Sequence, residues 1–159
     1  MKIEMTGVLS SRRAMENLGD ELTKRLNDEI ARAAVNTANH ARTAVQGGGG
    51  GQVYEKYNPR RTHRASAAGQ PPATDTGRLA SSITQERSQT STGAVSTWLA
   101  GSKVDYAKWL EFGTQNGRIA ERPFFRPALR KARTEFVRRT TNLVGARKVR
   151  LQDIIKDAP

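Results

Sequence analysis

Val104-Asp105-Tyr106-Ala107-Lys108-Trp109-Leu110-Glu111-Phe112-Gly113-Thr114, followed by Arg122-Pro123-Phe124-Phe125-Arg126-Pro127-Ala128-Leu129, is the pair of stretches around which the chain is organised. Six of the nine aromatic residues lie in or beside it: Trp98, Tyr106, Trp109, Phe112, Phe124 and Phe125. Aromatic side chains bury the most apolar area per residue, so a small core is expected to gather here. Tyr106, Trp109 and Leu110 recur at three- and four-residue spacing, which fits one face of a short helix. Gly113 then stands where a helix end needs a left-handed residue without a Cβ. Proline is tolerated in a first helical turn, so Pro127 places a second helix start near residues 125–127. Glu111 reads as a cap or an arginine partner rather than a general base.

Outward from this centre, two helical patterns flank the chain. From about Ser10 to Gln46, Leu18, Leu22, Leu26, Ile30, Ala34, Ala38, Ala41 and Val45 repeat every three or four residues. The alanine end of that stripe permits close approach, either within the core or to another subunit. Met1 to Leu9 alternates partly and reads as an edge strand. From about Phe125 to Val144 the inner stripe is Phe125, Leu129, Ala132, Phe136, Thr140 and Leu143, with Gly145 as the stop. Ala146–Pro159 reads as a tail that docks on a neighbour or stays loose. The expected core is Tyr106, Trp109, Leu110, Phe112, Gly113, Phe124, Phe125, Leu129 and Phe136.

Gly47–Gly51 lacks the Gly-Lys-Ser/Thr of a phosphate-binding loop and reads as a helix stop and a flexible hinge. Residues 47–74 read as one long flexible loop of about thirty residues, a length usually tied to function or disorder. Within it Arg60, Arg61, His63 and Arg64 stand near Tyr54 and Tyr57, as a phosphate grip or as a solvated basic loop. Asp75 or Thr76 caps a short helical turn that ends near Ser82. Ile83–Thr90 and Ala94–Ala100 read as two strands joined at Ser91-Thr92-Gly93, an antiparallel hairpin. The domain plan is one unit over 1–145 and the tail over 146–159.

Lys and Arg number 27 against 15 acids, a net charge of +12, which points to a polyanionic or acidic partner. Arg118 to Arg150 alone holds eleven bases against Glu121 and Glu135. There is no cysteine, so disulfides and thiolate metal sites are excluded. No apolar run approaches the ~18 residues of a membrane span, and no signal-peptide core stands at the N-terminus, so a soluble chain without a membrane partner is expected. His40 and His63 have no companion ligand at metal spacing, and neither a nucleophile elbow nor a carboxylate cluster for Mg²⁺ is visible. No enzyme, metal or cofactor is expected.

Pro71-Pro72-Ala73-Thr74-Asp75-Thr76-Gly77-Arg78-Leu79 with Ser82-Ile83, then Gly101-Ser102, Asp105-Tyr106-Ala107, Leu110-Glu111-Phe112-Gly113-Thr114 and Arg122-Pro123-Phe124-Phe125-Arg126-Pro127-Ala128, form an ordered succession. This succession, over roughly residues 71–130, resembles the neck or tail-completion family of long-tailed bacteriophages, also called head–tail joining or minor tail proteins. The resemblance implies an α+β subunit with a long N-terminal helix, a small antiparallel or mixed sheet, and a C-terminal helix packed on the sheet. It implies a homo-oligomeric ring, a hexamer first and a dodecamer second, in the virion neck after assembly in the host cytoplasm. Its neighbours would be connector or head-closure proteins and tail terminator or tail tube proteins, with double-stranded DNA passing through the channel. A small basic nucleic-acid-binding module is the alternative.

Charge adds a directional expectation. Glu16, Asp20, Glu21, Asp28 and Glu29 are early and the bases are late, so one subunit's first helix is expected against the next subunit's basic C-terminal region. Glu21, Asp28, Ala38, Tyr54 and Tyr57 are the expected subunit-interface residues. Arg60, Arg61, Arg64, Arg130 and Arg138 are the expected DNA-channel or partner-facing residues, since screened arginine contacts let a duplex slide.

Overall fold

A computed structural model of the chain describes residues 7–57, 60–88 and 96–156; in the two terminal helices the described side chains are those of residues 16–46 and 125–145. The architecture is α+β. A long helix α1 (Gly7–Gln46) leads into strands β1 (Val53–Tyr57) and β2 (Arg60–Arg64), and then a short helix α2 (Arg78–Ser82). Strands β3 (Ile83–Arg87) and β4 (Trp98–Ser102) follow, then α3 (Ala107–Phe112) and a long closing helix α4 (Phe125–Lys156). The strands form two separate two-stranded antiparallel sheets rather than one mixed sheet. In the first, Val53 pairs with Arg64 and Tyr57 with Arg60; in the second, Ile83 pairs with Ser102 and Arg87 with Trp98.

The two long helices run antiparallel and hold each other directly. Asn36 donates to Glu135 at 2.7 Å, His40 lies 3.0 Å from the same carboxylate, and Glu29 meets Arg139 at 3.7 Å. Ala38 and Ala41 of α1 and Ala128 and Ala132 of α4 are all buried, and small side chains let helices approach closely. The β3–β4 sheet lies against α1, and α4 packs principally along α1 instead of on the sheet. Buried Ser96 secures the sheet: its N–H and hydroxyl both donate to Asn27 Oδ1 at 2.9 Å.

The period of α1 is as expected, and its burial is concentrated at the alanine end. The core lies at Ala38, Ala41 and Val45, while Leu18, Leu22 and Leu26 are half-buried. The buried core elements, Leu79 and Ala80 of α2, Ile83 of β3 and Phe124, gather at the C-terminal end of α1. Ala38, expected between subunits, is fully buried inside its own chain. Gly7–Leu9 are the first turn of α1 and not part of an edge strand; Met1–Thr6 lie outside the described residues.

Two further expectations are corrected. Gly145 does not stop α4, which continues to Lys156, so most of the supposed tail is helix. A helical glycine costs only about 0.5–1 kcal/mol, and Gly145 has no positive φ that would turn the chain. The interval 47–74 is not one structureless loop, because it contains the β1–β2 hairpin. Its glycines follow directly on the end of α1 at Gln46, as a helix stop does, and are held at close backbone contact. A Cβ at Gly48 would overlap the Pro72 carbonyl and lie 2.7 Å from Pro71 O, and one at Gly51 would lie 2.9 Å from Ala65 O. The glycines let α1's exit cross the 65–72 segment at backbone contact, with Gly51 N–H donating to Ala65 O at 3.0 Å. The turn expected at Ser91-Thr92-Gly93 lies outside the described residues.

Candidate functional site

The two stretches that organise the sequence meet at one carboxylate. Glu111, on the last turn of α3, is 4% exposed. Its Oε2 accepts from the N–H groups of Phe124 and Phe125 at 2.8 and 2.9 Å, and its Oε1 from the N–H of Arg126 at 2.9 Å. These N–H groups lie at the start of α4, where no intrahelical carbonyl exists to receive them. Glu111 therefore caps α4 from another helix, and its negative charge sits at the positive end of the α4 dipole. Arg126 closes the clamp, with Nε on Glu111 Oε1 at 3.1 Å and one terminal nitrogen on the Glu111 carbonyl at 2.9 Å. The same guanidinium reaches Glu121 at 2.6 Å.

Burial alone would raise the Glu111 pKa. The three backbone donors and Arg126 outweigh it, and the carboxyl is held below its ordinary value. The Arg126 pKa is raised by its hydrogen bonds to Glu121 and Glu111. Gly113 ends α3 at φ 72°, and a Cβ there would lie 2.9 Å from Ile119 O, so both conformation and space require glycine. The reading of Glu111 as a cap and arginine partner describes this geometry.

The aromatic core is smaller than expected. Phe124 is fully buried, and Phe125 lies 5.0 Å from it, ring centre to ring centre. Tyr106, Leu110 and Phe125 pack against the core partly buried, and Phe136 is half-buried. Trp109, Phe112 and Leu129 are instead exposed. A six-residue helix has one face to bury, and α3 buries Ala107 and Glu111. Trp109→Ala is therefore expected to cost about 1 kcal/mol or less by chemical denaturation, as for a surface position; a loss as large as that of a buried aromatic would restore Trp109 to the core.

The basic hairpin is anchored by Asp75, which the sequence offers instead as a helix cap. Asp75 does not cap α2; it pairs with Lys56 and Arg61. The hydrogen bond from Lys56, the charges of Lys56 and Arg61 and the nearby His63 hold the Asp75 carboxyl below its ordinary value against the effect of burial. Arg60 faces Glu55 at 3.5 Å, and Tyr54 packs edge-on to His63 at 5.4 Å. Arg64, Arg130 and Arg138 are exposed. Of the early acids, Glu21 pairs with Arg25 on its own helix, and Asp28 is exposed. Part of the expected complementarity between early acids and late bases closes within the chain, through Glu29 and Arg139. Glu135, one of the two acids in the basic C-terminal stretch, is held by His40 and Asn36; burial alone would raise its pKa, and these contacts lower it.

An open groove of about 740 Å³ lies between α1, β4, α3 and the start of α4. Ala33, Ala34 and Ala100 lie within it and Phe112 and Leu129 line it, with Trp98 and Asp105 beside them. Among the described residues, no group of three His, Asp or Glu side chains is placed to hold a metal ion, and no helix is long and apolar enough to cross a membrane. No protein-family model, curated protein or solved structure matches the chain.

Proposed function

We propose that the chain is a structural subunit of a tailed-bacteriophage neck, which assembles as a ring joining the capsid connector to the tail and surrounding the DNA channel. The observation that carries this reading is the Glu111 clamp. The stretches Leu110–Thr114 and Arg122–Ala128, on which the resemblance rests, are one structural joint, so their order and spacing answer to the fold. The α+β plan with long first and last helices agrees with what the resemblance implies. Exposed Trp109, Phe112, Leu129, Val137 and Val144 leave apolar surface on the α3–α4 side that a ring neighbour would cover.

The role is mechanical and has no turnover. A heterologous contact repeated by rotation closes a ring. Six copies of a +12 chain carry about +72, which a ring tolerates when bases meet neighbouring acids or a polyanion. Arg130 and Arg138, on the exposed face of α4, are the first candidates for the channel side. Native mass spectrometry with electron microscopy tests the reading. A closed ring, hexameric first and dodecameric second, with weak DNA affinity in the free subunit is the expected result. A chain that stays monomeric at every concentration and binds duplex DNA with a steep salt dependence would instead make it a nucleic-acid-binding module.

A further inference from the structure

We propose that residues 1–6 of one copy add as a third strand to the open edge of β4 in the next copy, an inference that rests on the ring reading and names its contact. The edge follows from the ladder. Ser88 N–H donates to Thr97 O at 2.8 Å, and Lys103 N–H to Ser82 O at 3.1 Å. With Ile83 opposite Ser102, antiparallel alternation then turns the N–H and C=O of Leu99 and Gly101 toward β3 and those of Trp98, Ala100 and Ser102 away from it. Among the described residues the sheet has two strands, and these outward backbone groups meet no partner. The opposite edge is answered at home, where Arg42 donates to Ile83 O at 2.6 Å. An edge left open is a template for a strand from another chain.

The open edge gives onto the groove of about 740 Å³: Trp98, Ala100 and Ser102 line it, and no residue of β3 does. Ala33, Ala34, Phe112 and Leu129 supply apolar lining. Residues 1–6 read Met-Lys-Ile-Glu-Met-Thr, apolar at 1, 3 and 5 and polar at 2, 4 and 6, which is a strand's period of two. Laid antiparallel, Met1, Ile3 and Met5 stand opposite Ser102, Ala100 and Trp98, the half-buried residues of β4, whose sheet lies against α1. Each such pair exchanges two ladder bonds and sends both side chains to one face. Charge does not choose the occupant. Lys103, Lys108 and Arg126 stand against Asp105 and Glu111 in the lining, Arg126 and Glu111 hold each other, and residues 1–6 carry Lys2 against Glu4. Backbone edge, alternation and length choose it, six residues against the five of β4. Reach makes the contact intermolecular. Along a helix rising ~1.5 Å per residue, Gly7 lies ~35 Å from Ile30, the first α1 residue of the lining. Six extended residues span at most ~22 Å, so they fall short of the groove of their own chain. Segment and groove are different patches, so the contact is head-to-tail and repeats around a ring.

Two full-length variants test the contact by sedimentation velocity and hydrogen exchange. Ile3→Pro removes a donor from the segment. Ala100→Pro removes an outward N–H of β4 without breaking a bond to β3, as an edge strand tolerates. Each alone is expected to raise the concentration needed for rings by ~tenfold or more, as loss of an interface anchor does. An equimolar mixture has one intact segment and one intact edge, so it is expected to give a 1:1 dimer that grows no further. In wild-type rings the Ala100 amide is expected to be protected from exchange, and in Ile3→Pro to exchange freely. Circular dichroism melting checks that Ala100→Pro folds; Ala34→Lys, which obstructs the groove, replaces it otherwise. Rings formed normally by Ile3→Pro, a mixture that stays monomeric, or an Ala100 amide that exchanges as fast in rings as in the monomer overturns this contact while leaving the ring reading intact. A wild-type chain that is monomeric at every concentration overturns both.

Discussion

Glu111→Ala is expected to lower the unfolding free energy by about 3 kcal/mol, because buried backbone N–H groups lose a charged acceptor; Arg126, 43% exposed, is left in water and adds little. Three N–H groups at the start of α4 lose their acceptor, and Arg126 loses one of its two acids. With a whole domain stable by only about 5–15 kcal/mol, the change removes a large fraction of the total. Glu111→Gln is expected to lose less, because its amide oxygen still accepts from the backbone while its NH₂ opposes the donors. The pH dependence follows from the lowered pKa. A carboxyl whose folded value lies below its unfolded value stabilises fully above the unfolded value, near 4.5, and loses that contribution as pH falls toward the folded value. Wild type should therefore lose stability on acidification through this window, and Glu111→Ala should lose less. Urea denaturation between neutral pH and pH 3 measures both; a variant as stable as wild type at neutral pH would show that the clamp contributes little.

The features legible in the sequence are those set by local chemistry. The period of α1, the helix start near Pro127, the end of α3 at Gly113 and the β3–β4 pairing follow from spacing, proline's missing donor and glycine's freedom. Glu111 was legible as a polar residue beside an aromatic cluster, though its three backbone donors depend on where α4 begins. Which end of a stripe is buried was not legible, because period says nothing about what stands opposite. Ala38 and Leu18 share one stripe, and only the position of Phe124 and Ile83 separates them. The β1–β2 hairpin was hidden by its polarity: Glu55, Lys56, Arg60, Arg61 and Thr62 mask the strand pattern that Val53, Tyr54 and Tyr57 begin. Trp109 and Phe112 misled because a large apolar side chain on a short helix serves a surface as readily as a core. Gly145 misled because a glycine ends a helix only where the chain then turns.

Phe124→Ala is expected to cost about 3–5 kcal/mol, the usual range for emptying a buried aromatic site. Among the described residues Phe124 is the largest fully buried side chain, and it belongs to the same core as Ala38, Ala41 and Ala128. Larger neighbours, Ile83, Leu79 and the Phe125 ring 5.0 Å away, also border the site, so the middle of the range is expected. Phe124→Leu keeps much of the volume and should cost about 1.5 kcal/mol or less. The position has a second tie, since the Phe124 N–H donates to Glu111 at 2.8 Å. The ring anchors the start of α4 in the core, and the carboxylate anchors it to α3. Either anchor helps to position the other, so the losses in a Glu111→Ala, Phe124→Ala double variant should sum to less than the two single losses. The coupling expected for groups in one network is about 0.5–3 kcal/mol. Denaturant titration of the four proteins measures it. Strict additivity would mean that ring and clamp act as independent supports of α4, and a Phe124→Ala loss under about 1 kcal/mol would move the centre of the core away from this joint.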